Sequence, residues 1–329
     1  MVITRSPYRL GLFGGGSDYG EYFRENRGAV LSFAISRYCY LTCRRLPPFF
    51  SHRGKFAWSK IETVNELSEI EHPAIRGCLQ YLNEDCGLAI NHDGDLPARS
   101  GMGSSAAFTV GLLHALHALR GEMISKRQLA LEAIEVDQDV IGDRCGIQDQ
   151  VAASFGGFNR IDFKNNRESF EVQPITMPPA QEERLLDHML LFYTGVARTA
   201  SEITAAQIEK MGEKKTEMAD LVALVDEAWD ALAVGDIESI GPLLHESWVI
   251  KRSLSPVITN DFVDSLYERA RRIGATGGKL CGAGAGGAIL IFIHPDLRWV
   301  AIETFKDLVY VPFRIDRSGS QVIYYQGEG

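Results

Sequence analysis

Several signatures that would settle the function of a chain of 329 residues are missing. No apolar run approaches the length of a membrane span. The N-terminal Met1-Val2-Ile3-Thr4-Arg5 has no signal-peptide core, so a cytoplasmic protein is expected. The six cysteines are dispersed and form no C-x-x-C pair, which reads as reduced thiols without disulfides or zinc. The eight histidines show no H-E-x-x-H spacing, and His114 and His117 fall in an apolar helical pattern where packing is the expected role. An excess of positive charge is also missing. The net charge of −9 argues against nucleic acid or an anionic membrane as partner, while local arginines can still build a pocket for a small anion. There is no Walker A sequence either: Gly54-Lys55 and Gly278-Lys279 are followed by Phe56 and Leu280, where Ser or Thr is required.

What the chain does have is the Gly/Ser loop Leu96-Pro97-Ala98-Arg99-Ser100-Gly101-Met102-Gly103-Ser104-Ser105-Ala106-Ala107. It runs straight into an apolar helical pattern over residues 108–119. Glycines let the backbone approach a ligand and adopt φ > 0. A helix N-terminus offers free N–H groups and partial positive charge. Together they make a phosphate cradle. Gly101-x-Gly103-x-x-Ala106 also fits a dinucleotide fingerprint, but no buried strand precedes it and no strand ending in an acid follows at the required distance. A second match, Gly282-x-Gly284-x-x-Gly287, leads into a strand pattern where the fingerprint needs a helix. A nicotinamide oxidoreductase is therefore the weaker reading.

Hydrophobic residues make up 45% and charged residues 23%, the balance of a globular chain long enough for two domains. Residues 29–46 read as one long strand or two joined strands, 75–82 as a helix and 88–91 as a strand. Ser125 caps a helix to about residue 141, residues 143–157 form a Gly-punctuated loop region, and 161–172 suggest a hairpin. Residues 177–180 look like a linker or domain edge. A strand at 189–193 and a helical block from 200 to about 273 follow. Thr259 or Asn260 caps the last helix of that block, and Gly274 stops it. Strands at 279–293, 309–315 and 322–325 close the chain, with a helix from Pro295 between them. The fold class is α+β in two domains, 1–180 and 181–329.

Three distant segments carry a resemblance. The first is Arg5-Ser6-Pro7-Tyr8-Arg9-Leu10-Gly11-Leu12-Phe13-Gly14-Gly15-Gly16-Ser17-Asp18-Tyr19, the second is residues 97–107, and the third is Lys279-Leu280-Cys281-Gly282-Ala283-Gly284-Ala285-Gly286-Gly287. In that order they resemble the three motifs of the GHMP kinase superfamily of galactokinase, homoserine kinase, mevalonate kinase and phosphomevalonate kinase. Gly146-Ile147-Gln148-Asp149-Gln150 and Tyr193-Thr194-Gly195-Val196-Ala197-Arg198 further resemble the bacterial D-glycero-D-manno-heptose 7-phosphate kinases. L-fucokinase-like enzymes share a related Gly-Gly-x-Ser-Asp segment. The resemblance implies a two-domain GHMP-kinase-like fold with the active site in the cleft between the domains. It also implies ATP and Mg²⁺, and phosphorylation of an anomeric hydroxyl on the way to GDP-heptose for surface polysaccharide. A sugar phosphate and ATP are the expected partners, with no nucleic acid and no membrane, and a homo-oligomer stays open. A catalytically inactive sugar-binding regulator is the competing class, against which intact Asp149, Ser105 and Arg9 argue.

The resemblance also assigns roles. Ser100, Gly101, Met102, Gly103, Ser104, Ser105 and Ala106 would hold the ATP phosphates, with Ser105 on Mg²⁺, for which a hydroxyl is a suitable hard ligand. Asp137 stands at the spacing of the family's second Mg²⁺ ligand, where Glu is usual; Glu135 and Asp139 are the alternatives. Asp149 would be the general base or orienter of the acceptor hydroxyl. Arg9 would sit beside the base and the transferring phosphoryl. Gly14, Gly15, Gly16, Ser17 and Asp18 would receive the sugar, the glycines opening room for an acceptor larger than a hexose. Arg198 leads, ahead of Arg99 and Lys279, as the cation for the substrate's own phosphate. The segment 282–287 is expected to be a close-packed support.

Overall fold

The computed structural model describes residues 1–196, 200–282, 284 and 286–327. β1 (Val2–Phe13) and β2 (Gly28–Arg45) form a long antiparallel pair joined through the short helix α1 (Gly20–Phe23). Residues 29–46 therefore make one strand. Pro7 and Gly11 hide β1 in the sequence, and both lie where its register with β2 shifts, irregularities that tolerate a missing N–H or side chain. A hairpin of β3 (Gly54–Ala57) and β4 (Ile61–Val64) precedes α2 (Pro73–Tyr81) and β5 (Leu88–Gly94). Then come α3 (Ser104–Leu119), α4 (Lys126–Glu135), one π-helical turn at Val136–Val140, α5 (Gln148–Phe155), and the hairpin of β6 (Phe158–Lys164) and β7 (Asn166–Pro174). The Ser125 hydroxyl accepts the Gln128 N–H at 3.1 Å, the expected cap of α4.

α5 corrects the expected loop at 143–157. Glycines flank it, but Ile147 and Val151 are buried with Ala130 and Ile134 of α4, and that burial sets the helix. α3 is apolar almost all round and buried on nearly every face. His114 bonds Ser320 at 2.9 Å, and His117 lies between Glu122 and Glu132 at 2.8 and 2.7 Å, so both imidazoles are structural.

In the second half, α6 (Pro179–Asp187) replaces the expected linker, with proline in its first turn. β8 (Met189–Tyr193), α7 (Ala200–Met211), α8 (Lys215–Val234), α9 (Ile240–Ser253), α10 (Asp261–Arg272), β9 (Gly277–Leu280), β10 (Ala288–Phe292), α11 (Arg298–Thr304), β11 (Val309–Tyr310) and β12 (Gln321–Tyr325) follow. Asn260, whose side chain accepts the Val263 N–H at 2.9 Å, caps α10.

The first sheet runs β12-β1-β2-β5-β3-β4, with β6 and β7 added beside the start of β2. The second runs β11-β8-β10-β9. The chain's last strand thus belongs to the sheet of the first half, so residues 321–325 of the expected 181–329 unit pair with β1. Tyr8, Leu10 and Phe33 of the first half share one buried cluster with Phe192, Trp248 and Phe305 of the second. No described helix is long and apolar enough to cross a membrane, and all six cysteines are free.

Candidate active site

One pocket collects most of the residues singled out in the sequence, and its walls come from both halves of the chain. Its first wall is the Gly/Ser loop. Gly101 and Gly103 have φ of +77° and +72°, the left-handed region that favours glycine. Gly103 is the N-cap of α3, so Ser104, Ser105 and Ala106 form the helix's first turn, where N–H groups lack intrahelical partners. All three line the pocket. A Cβ on Gly282 would meet Gly101 Cα at 2.7 Å, and one on Gly287 would meet the Ser100 carbonyl at 2.6 Å. The third glycine segment is therefore the close-packed backing of the first wall. Two members of the loop face away from the pocket. Met102 is fully buried, and its carbonyl accepts the Arg9 N–H at 3.0 Å, fastening the loop to β1. Ser100 is also fully buried among the close-packed glycine loops, and among the described residues its Oγ has no partner.

Arg9 extends from β1 beneath this loop. Its Nε and Nη2 donate to the two carboxylate oxygens of Asp149 at 2.6 and 2.7 Å, and Nη1 donates to the Gly101 carbonyl at 2.7 Å. The planar fork thus fixes Asp149 and the glycine loop relative to each other. Gly103 lies directly above: a Cβ there would stand 3.2 Å from Arg9 Cγ and 3.3 Å from Asp149 Oδ2.

The Gly14–Asp18 turn forms the opposite wall. Gly15, Gly16 and Asp18 line the pocket, whereas Gly14 and Ser17 do not. A Cβ on Gly14 would overlap the Ala29 carbonyl, and the Ser17 hydroxyl donates to that carbonyl at 2.9 Å while accepting the Ala29 N–H at 3.1 Å. Ser17 and Gly14 therefore anchor the turn to β2. Asp18 accepts the Gly16 N–H at 3.0 Å and the Gln148 N–H at 3.3 Å, joining the turn to the start of α5. A Cβ on Gly146 would overlap Asp18 Oδ2, so glycine at 146 is what admits the carboxylate. Burial, then the charge of Asp149, pushes the Asp18 pKa up.

The three acids left open by the sequence separate clearly. Glu135 accepts the Tyr81 hydroxyl at 3.1 Å, and Asp139 pairs with Arg167 at 2.5 Å. Of the three, Asp137 alone lines the pocket, in the π-helical turn that shifts the helical register. Its oxygens accept from Thr109 Oγ1 at 2.8 Å and Gln150 Nε2 at 2.7 Å, both neutral donors. Burial pushes its pKa up to about 6. Gln150 Oε1 is buried without a partner, and Asp143 also lines this end. With the Ser105 hydroxyl, these hard oxygens fit Mg²⁺, which needs one or two protein carboxylates besides phosphate and water.

Sequence reasoning missed Asp143, Gln148 and Lys251 in the pocket wall. Gln148 and Asp143 sat in the stretch expected to be loop, and Lys251, in the last turn of α9, carries no motif. Lys279 does line the pocket, but its Nζ donates to the Leu12 carbonyl at 3.0 Å, and burial lowers its pKa to about 7. Arg99 lines the rim in a left-handed conformation, φ 61°. Thr194 Oγ1 donates to the Gly287 carbonyl at 2.8 Å, tying the Y-T-G turn to the third glycine segment. Arg198 lies outside the described residues, as do Ala197, Ala283 and Ala285.

A glycine loop capping a buried helix, backed by a second glycine loop and pinned by an Arg–Asp fork, is an arrangement able to cradle a phosphate and hold a carboxylate beside it. The family of GHMP kinases N terminal domains matches residues 71–157, and that of GHMP kinases C terminal domains matches residues 228–299. The chain thus carries both the N-terminal and the C-terminal GHMP kinase domains, in a mixed α/β two-domain fold. The chain is 28% identical over 323 residues to a D-glycero-alpha-D-manno-heptose 7-phosphate kinase of Campylobacter jejuni, covering 93% of each chain. It is 27% identical over 332 residues to a galactokinase of Pyrococcus furiosus, covering 90% of each. A solved D-glycero-D-manno-heptose 1-phosphate kinase from Bacteroides thetaiotaomicron superposes with a TM-score of 0.79 at 25% identity, over 98% of this chain and 100% of that one.

Proposed function

We propose that this protein is an ATP- and Mg²⁺-dependent sugar kinase. In this reading it phosphorylates the anomeric hydroxyl of D-glycero-D-manno-heptose 7-phosphate to the 1,7-bisphosphate, serving GDP-heptose and surface polysaccharide synthesis in the cytoplasm. The observation that carries the phosphotransfer is the Arg9–Asp149 fork, at 2.6 and 2.7 Å, set between the glycine loop and the Gly15–Asp18 wall. The Campylobacter and Bacteroides relatives support a heptose phosphate as acceptor.

Phosphoryl transfer is achieved mainly by positioning and charge stabilisation. In this reading the first-turn N–H groups of α3 cradle the nucleotide phosphates, as an anion site at a helix N-terminus does. Ser105 and Asp137 would hold Mg²⁺, which would supply positive charge to offset that developing on the phosphate oxygens. Asp149 orients the acceptor hydroxyl and takes its proton, a task eased because an anomeric hydroxyl is more acidic than an ordinary alcohol. Arg9 fixes the carboxylate's orientation and offsets negative charge arriving on the transferred group. Asp18, with two backbone N–H groups already on its carboxylate, directs its remaining lone pairs to sugar hydroxyls.

The test is ADP release with Mg-ATP across heptose 7-phosphate, free heptose, fucose, galactose and mevalonate, with Asp149→Ala as control. Turnover with heptose 7-phosphate well above that with any other acceptor, and lost in the variant, is expected. Turnover with galactose or fucose would leave the mechanism and move the substrate. Silence on all acceptors with ATP still bound would point to a regulator.

A further inference from the structure

Lys251 was invisible to motif reasoning and is unused by the mechanism above. It comes from the last turn of α9, in the second half of the chain, and is buried to 7% exposure at the pocket wall. Among the described residues its ammonium makes one long hydrogen bond, 3.3 Å to the Gly282 carbonyl, and no ion pair. A buried ammonium has three donors and a desolvation cost that one carbonyl does not offset. The group it faces is Gly15: a Cβ at residue 15 would stand 3.3 Å from Lys251 Nζ and 3.8 Å from Gln148 Nε2. Gly15 has no positive φ, unlike Gly14 and Gly16, so its backbone does not demand glycine. What the missing side chain does is leave the ammonium bare toward the pocket.

We propose that Lys251, uncovered by Gly15, binds an anionic group carried by the acceptor itself and selects a phosphate monoester sugar over the free sugar. This rests on the proposed sugar-kinase reading and deepens it. The position favours the acceptor over the nucleotide. Lys251 Nζ lies beside Gly15, and of the surrounding charges Asp18 acts on it most strongly, whereas the α3 first turn is the wall where nucleotide phosphates are proposed to bind. After burial, the charge of Lys251 is what lowers the Lys279 pKa, and a phosphate dianion entering between Lys251 and the pocket would relieve that repulsion. Lys279 already donates to the Leu12 carbonyl, so Lys251 is the better placed of the two for a ligand.

The experiment compares wild type, Lys251→Met and Lys251→Arg on heptose 7-phosphate and on free heptose, with KM for ATP and thermal midpoint recorded for each. The wild type is expected to prefer the phosphorylated sugar. Lys251→Met is expected to raise KM for heptose 7-phosphate on the order of 10²-fold, the loss of one charge-assisted contact, with kcat and KM for free heptose and ATP within about threefold. Lys251→Arg is expected to restore part of the loss. Gly15→Ala, which crowds the ammonium without removing it, is expected to weaken the same substrate selectively. Equal losses on both sugars, or a loss confined to ATP, would overturn the assignment of Lys251 while leaving the kinase reading intact. A wild type indifferent to the sugar's phosphate would overturn the heptose phosphate reading and this proposal with it. Should Lys251→Met fail to fold, the Arg and Ala variants decide alone: unchanged selectivity in both rejects the proposal.

Discussion

Two carboxylates face the same pocket in opposite company. Asp149 is gripped by the Arg9 fork, so its charge is balanced and its orientation fixed. Asp137 is held by a hydroxyl and an amide, so it is oriented but not neutralised. A carboxylate held by a planar fork is kept aimed in one direction, as an orienter of a hydroxyl requires. A buried carboxylate with neutral partners awaits a cation or a proton, and burial holds the Asp137 pKa up to about 6. The difference separates the end proposed for the acceptor from the end proposed for the metal more sharply than spacing along the chain.

The strongest way to break this contrast is at Asp149. Asp149→Asn should lower kcat on the order of 10²- to 10⁴-fold, the usual worth of a positioned acid or base, with ATP binding nearly unchanged by calorimetry. Loss of ATP binding in step with kcat would assign Asp149 to the nucleotide instead.

A smaller effect is expected at the metal end. Thr109→Val removes one of the two donors that orient Asp137 while leaving the carboxylate in place. The Mg²⁺ concentration for half-maximal rate should rise roughly 10- to 100-fold, with little change in kcat at saturating Mg²⁺. An unchanged Mg²⁺ requirement would shift the metal role to Asp143, the other acid at that end of the pocket.

Acid titration sharpens the same distinction. Asp137 takes up its proton near pH 6 in the fold against 3.8 for the ordinary group. Between those values the folded protein holds more protons than the unfolded chain, so the contribution of Asp137 to stability falls as pH rises from about 4 to about 6. Denaturant melts of the metal-free protein should show a shallower fall for Asp137→Asn over that window. Identical slopes would mean that Asp137 ionises normally.

The smallest effect on turnover is expected at Ser17. Ser17→Ala should cost about 1–3 kcal/mol of stability, because the Ala29 backbone loses its buried partner, while kcat/KM changes less than about twofold. Asp18→Asn, one residue on, should instead raise acceptor KM. Matching kinetic losses would return Ser17 to the sugar site.

Much of the site was legible because its chemistry needs particular residue types at short spacing. Gly101, Gly103 and the following serines are needed where backbone N–H groups must approach phosphate, and Asp149 stands out among glutamines. The helix carrying Asp149 was hidden, because the glycines at 142, 146, 156 and 157 read locally as loop while Ile147 and Val151 gain their burial from α4. Ser17, Gly14, Ser100 and Met102 were drawn into the site by their neighbours in sequence, and the fold buries them outside the pocket wall.

By itself, the sequence determined the α+β class, the glycine loop that opens α3, and the choice of Arg9 and Asp149, which the structure brings together in one ion pair. These depend on local backbone freedom and on which side chains can carry charge. Only the tertiary structure decided which of Glu135, Asp137 and Asp139 turns into the pocket, and that Lys251 arrives there from a helix 236 residues beyond Gly15. It also decided that the last strand closes the first sheet. Those outcomes depend on one extra residue in a helical turn and on contacts between distant segments, which no local pattern encodes.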